Sequence, residues 1–169
     1  MNLLAPGGTK NCRPLYLLEL CYLLSTESQI VNGLPRMIEH ANDLQLRYAF
    51  QSSLRETQVH LTRLDEIIDE VNDAELFGEK DATTAALLDS CDNIIKELVE
   101  GPERDAGLIA KAQEIKRYEI ASYGAAIDWA KLLGLHRHVE LLQQTLDEKL
   151  GADNLSTICL RANGSRAAA

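Results

Sequence analysis

Five side chains have the types and spacing of a metal-ligand set: Glu27, Glu56, His60, Glu119 and Glu148. Each lies on a line of mainly apolar residues that advances in steps of three and four, the signature of one helix face. Glu27 is the only charge on the line Leu20, Leu24, Glu27, Val31, Leu34, Ile38 and Ala41. Glu56 and His60 are adjacent rungs of Leu46, Ala49, Ser53, Glu56, His60, Leu64, Ile67 and Val71. Glu119 lies within Leu108, Ala112, Ile115, Glu119, Ser122, Ala126, Trp129 and Leu133. Glu148 lies within His138, Leu142, Thr145, Glu148, Ala152, Leu155 and Cys159.

Burying an unpaired charge is expensive. Four converging carboxylates would repel one another and lose their hydration. Two divalent or trivalent cations would resolve that, and inward-facing carboxylates with an imidazole suit a dinuclear iron or manganese centre. His60, one turn from Glu56, is the natural nitrogen ligand. Taken singly, a glutamate on a helix seam is more often partly solvated, and a lone histidine more often a hydrogen-bonded core residue. Matched heights on four helices point beyond those readings. Tyr123, one turn after Glu119, reads as a second donor or as core, and Trp129 as core. His136 and His138 flank Arg137 and read as surface residues. Asp65-Glu66 and Asp69-Glu70 read as a solvated face.

The elements that must position these residues are helices. At 169 residues, 46% hydrophobic but only 5% aromatic, the chain predicts one all-α domain. The first long helix is expected from about Pro14 or Leu15 to Ala41, with a kink or break at Pro35. Asn42-Asp43 marks a junction and an N-cap for a second, from about Leu44 to Val71. Residues 72–80 read as a linker. Asp81 caps a shorter helix, about Ala82 to Val99, that ends at Glu100-Gly101-Pro102. The third long helix spans about Glu103 to Leu133 and stops at Gly134. The fourth is expected from about Leu135 to Leu160, weakened at Gly151. The expected architecture is four long antiparallel helices with one long crossover that contains the shorter helix. Residues 14–161 form the bundle, and residues 1–13 and 162–169 read as loose tails.

The net charge of −9 argues against nucleic acid or an anionic membrane as partner. Leu15 to Leu24 is too short to span a bilayer, which takes about 20 residues. Cys12, Cys21, Cys91 and Cys159 lack paired spacing and read as reduced thiols in a cytoplasmic protein without a signal peptide.

Several stretches together resemble the YciF and YciE family, bacterial stress-associated proteins of the ferritin-like superfamily. They are Leu34-Pro35-Arg36-Met37-Ile38-Glu39-His40-Ala41, Leu54-Arg55-Glu56-Thr57 with Arg63-Leu64, and Ala106-Gly107-Leu108-Ile109-Ala110. Tyr118-Glu119-Ile120-Ala121-Ser122-Tyr123-Gly124 is the strongest, followed by Trp129-Ala130-Lys131-Leu132-Leu133-Gly134-Leu135 and Thr145-Leu146-Asp147-Glu148. The resemblance covers about residues 15–158. It implies a ferritin-like four-helix bundle, a homodimer, and iron or manganese ligands at Glu27, Glu56, Glu119 and Glu148, with His60 where the family has Gln or His. It implies a stress-response protein that could oxidise Fe(II) or consume peroxide.

The chain departs from the family at named positions. Lys116 and Arg117 stand where the family carries an acid and a histidine. Tyr22-Leu23-Leu24 replaces Asp-Leu-Tyr, and Lys149 replaces a second glutamate beside Glu148. Lys116, one turn before Glu119, is expected to pair with it and take a cation's place. The alternative function is therefore a non-enzymatic structural or interaction protein, its centre charge-compensated by Lys116.

Overall fold

The computed structural model describes residues 12–71 and 80–151. Within them the chain forms α1 (Arg13–His40), α2 (Leu44–Val71), α3 (Ala82–Glu97), α4 (Pro102–Leu132) and α5 (His136–Gly151), with no strand among the described residues. The hairpins α1–α2 and α4–α5 pack together through α1 against α4 and α2 against α5, while α3 crosses over on α1 and α4. This is the four-helix bundle with a helical crossover expected from the seams.

Local signals set most boundaries. The Asp43 carboxylate accepts the Leu46 N–H at 3.0 Å and starts α2. Asp81 does the same for α3 through the Thr84 N–H at 2.6 Å. Gly134, at φ 70°, takes the left-handed turn that ends α4. Pro35 does not break α1, which stays helical to His40. Pro35 is exposed, while Ile30, Leu34 and Met37 around it are buried, so packing outweighs the loss of one backbone hydrogen bond. Residues 72–79 of the expected 72–80 linker and the continuation of the fourth helix beyond Gly151 lie outside the described residues, as do both expected tails except Cys12 and Arg13.

Two apolar clusters fill the bundle. The lower joins Tyr16, Leu20, Leu23, Leu64, Ile67, Tyr123 and Leu142, and draws on α1, α2, α4 and α5. The upper joins Ile30, Leu34, Met37, Phe50, Cys91, Ile95, Leu108 and Ile115, and draws on α1, α2, α3 and α4. Helix α3 thus supports the upper half. A Cβ at Gly33 would lie 2.7 Å from Leu88, so a glycine there lets α3 approach α1 closely. Asp105 ties the upper end of the bundle by accepting the Asn42 and Asp43 N–H groups at 2.8 Å each. The anticipated polar residues lie between the two clusters.

Candidate functional site

At mid-bundle Glu27 is fully buried and Glu119 nearly so. The cation between them is Lys149. Its ammonium donates to Glu119 Oε1 at 2.6 Å, lies 3.0 Å from Glu27 Oε1 and faces the Tyr123 ring at 5.4 Å. The Tyr123 hydroxyl donates to Glu27 Oε1 at 2.7 Å, so this tyrosine is both core and hydrogen-bond donor.

Sequence reasoning expected Lys116 in that role, and the structure corrects it. Lys116 is half-buried in the wall of a neighbouring cavity, while Lys149 is only 6% exposed. The α5 seam runs His138, Leu142, Thr145, Lys149. Its last step is four residues, which turns Lys149 inward and leaves Glu148 on the rim.

Glu148 therefore meets the bundle from outside. Arg63 clamps it with two bonds of 2.6 and 2.7 Å, and His60 Nε2 lies 3.1 Å from its Oε2. A carboxylate opposite Nε2 assigns the ring proton to that nitrogen. His60 Nδ1 is then an acceptor, buried and unbonded, 3.7 Å from Glu27 Oε1. Glu27 Oε2 is likewise buried without a partner. Glu56, half-buried, accepts the Ser52 hydroxyl at 3.0 Å.

Burial raises the Glu119 carboxyl to about 7, against the pull of Lys149. Burial works against the charged ammonium of Lys149, but Glu119 and Glu27 outweigh it and hold the group above its usual value. His60 is lowered by burial and then by the Lys149 charge, so its neutral form is favoured. Hydrogen bonds from Arg63 lower Glu148. Burial, then the Glu27 charge, keep the Tyr123 phenol protonated.

These shifts set a pH dependence. Glu119 holds its proton more tightly folded than unfolded, so its contribution favours the fold at acid pH. That contribution is lost as pH rises from about 4.5 to about 7. His60 acts oppositely: its lowered value costs stability as pH falls below 6.5. Subtracting the urea-unfolding profile of Glu119→Gln from that of the wild type should isolate a component that falls with rising pH. A flat difference would refute it.

A second buried network went unanticipated. The fully buried Tyr16 hydroxyl lies 2.8 Å from His138 Nδ1, and His138 Nε2 lies 3.1 Å from Glu70 Oε2. His138, expected at the surface, is 5% exposed because it heads the α5 seam. That seam position was its only sequence signal. His136 is exposed as expected, and Trp129 packs on the lower cluster. Asp65, Glu66, Asp69 and Glu70 are exposed. Another network joins the start of α3 to mid-bundle. Asp81 accepts the Tyr118 hydroxyl at 2.8 Å, and the Thr26 and Thr84 hydroxyls bond at 3.0 Å.

The five anticipated ligands therefore occupy one level of the bundle but do not converge on one point. Among the described residues no group of three or more His, Cys, Asp or Glu side chains is placed to hold a metal ion. Cys12, Cys21 and Cys91 form no disulfide, and Cys159 lies outside the described residues. No helix among the described residues is long and apolar enough to cross a membrane.

Residues 11–168 match a protein family described as a domain of unknown function, DUF892. Protein YciF of Escherichia coli (strain K12) is 30% identical over 129 residues, which are 76% of this chain and 78% of YciF. The crystal structure of the E. coli stress protein YciF superposes with a TM-score of 0.83 at 27% identity, covering 90% of this chain and 97% of that one. YcfI from Rhodopseudomonas palustris, proposed to be a structural protein, superposes with a TM-score of 0.79 at 31% identity, covering 90% of this chain and 92% of that one.

Proposed function

This chain belongs to the DUF892 family, and on that premise we propose that it is a YciF-like stress protein acting as a non-enzymatic structural or interaction module. The observation that carries this reading is the Lys149 ammonium between Glu27 and Glu119. A fixed ammonium there offsets one of the two carboxylate charges that it bridges, and ties α5 to α1 and α4. The description of YcfI as a proposed structural protein agrees with it.

The donor set does not fit a dinuclear iron or manganese centre. Lys149 stands where a cation would bridge Glu27 and Glu119. Glu148 is drawn to the rim by Arg63, and Glu56 is engaged by Ser52. Such a centre would need inward carboxylates from all four long helices.

One observation favours a second reading, a ferritin-like metal-binding protein that oxidises Fe(II) or consumes peroxide. Glu27 Oε2 and His60 Nδ1 are buried acceptors without donors, and a cation could satisfy both. Metal content separates the readings. Protein purified without chelator, then loaded with Fe(II) under anaerobic conditions and desalted, should carry far less than one metal ion per chain by elemental analysis. About two ions per chain, lost in Glu119→Ala, would establish the second reading instead. We further propose a cytoplasmic homodimer, which sedimentation of the purified chain would test.

A further inference from the structure

Tyr16 of α1 is fully buried in the lower cluster, with Leu20, Leu23, Leu64 and Ile67. Its hydroxyl lies 2.8 Å from His138 Nδ1, and the two rings stack with centroids 6.0 Å apart. His138 Nε2 lies 3.1 Å from Oε2 of Glu70, whose side chain is 48% exposed. That carboxylate assigns the ring proton to Nε2, so Nδ1 accepts and the phenol donates. A phenol, a neutral base and a carboxylate thus run in order from the core to the rim. Burial, then the Glu70 charge, raise the phenol well above its ordinary value, so at neutral pH the group is the phenol and not the phenolate.

This order suits the loss of an electron together with a proton. Removing one electron from a phenol makes its O–H proton strongly acidic, and a charged ring inside an apolar cluster would be costly. At Tyr16 the proton has only one hydrogen bond to cross. The positive charge then rests on an imidazole beside a carboxylate, and the ring left in the core is neutral. Tyr118 and Tyr123 donate instead to Asp81 and Glu27. Imidazole is intrinsically the stronger base. A proton on Asp81 would weaken the cap of α3, and one on Glu27 would weaken its pairing with Lys149. We propose that Tyr16 is a redox-active tyrosine that gives one electron to a small inorganic radical and its proton to His138 Nδ1. The O–H bond breaks, an N–H bond forms, the oxidant is reduced to its anion, and a neutral phenoxyl stays in the core. One electron from a reductant such as ascorbate, with the proton returned from His138, restores the phenol. Radical formation at Tyr16 does not depend on the structural reading above, and is measured separately from metal content.

The probe is the azide radical, generated by pulse radiolysis in a neutral solution of the full chain, with phenoxyl followed by its absorption and by electron paramagnetic resonance. The wild type should give a slowly decaying phenoxyl whose formation slows in heavy water. Tyr16→Phe should lose that component, leaving a signal from the other tyrosines that decays about tenfold faster. His138→Gln should lose it too, with circular dichroism showing that the helices are intact. Glu70→Gln, a change at the rim, should slow its formation about tenfold, because the imidazolium loses its counter-charge. Absence of the slow signal in the wild type, its survival in Tyr16→Phe or His138→Gln, formation insensitive to heavy water, or formation at the wild-type rate in Glu70→Gln would each overturn the proposal.

Discussion

Replacing Lys149 with methionine should lower the unfolding free energy by about 3–5 kcal/mol in mildly alkaline buffer, the usual cost of breaking a buried ion pair from one side. The hydrocarbon stem is retained, so the loss falls on the charge. Glu27 and Glu119 would be left facing each other at 0% and 6% exposure. In mildly acidic buffer the cost should shrink, because Glu119 already takes a proton near pH 7 in the wild type. Replacing the whole cluster, Glu27→Leu with Glu119→Leu and Lys149→Met, should recover most of the loss, since apolar residues of similar volume often match or exceed a buried ion network in stability. Urea unfolding at the two pH values provides the comparison. A loss in Lys149→Met below about 1 kcal/mol, the scale of an exposed pair, would mean that the ammonium does not compensate this site.

Leu142→Ala should cost about 2–5 kcal/mol, the range for a large-to-small change in a packed core. Leu142 is fully buried in the lower cluster and precedes Lys149 on the same seam of α5. Helix α5 has only 16 described residues and reaches the core mainly through Leu141, Leu142 and Thr145. Loosening it should also disturb the position of Lys149. Hydrogen exchange should therefore quicken in α5 more than in α3, which belongs to the upper cluster. Equal acceleration in the two helices would show that the clusters do not act as separate supports.

The two variants test the same physical statement from opposite sides. The ion network stands between two apolar clusters and holds α5 against α1 and α4. Its charges are tolerable because they pair with one another inside the buried centre. The rim pair Arg63–Glu148, with Glu148 41% exposed, belongs to a different regime in which solvent screens most of the gain.

The sequence by itself determined the helices. Their periodicity, the caps at Asp43 and Asp81, the start of α4 at Gly101-Pro102 and its stop at Gly134 are local signals, because hydrogen bonding within a turn and a single backbone dihedral set them. It also placed Glu27, Glu56, His60 and Glu119 at mid-bundle. At Pro35 the local penalty is legible in the residue, whereas the packing of Leu34 and Met37 that keeps α1 helical through it is not. Only the tertiary structure decided which cation enters the centre. Helical steps of three and four are both allowed after Thr145, so Glu148 and Lys149 compete for the inward position. The choice belongs to the rotation of α5 against its neighbours, where Leu142 enters the core and Arg63 draws Glu148 outward. The same rotation buried His138 against Tyr16. A helix face can be read from spacing, but the partner it meets depends on three other helices, and that partner makes the buried charge tolerable.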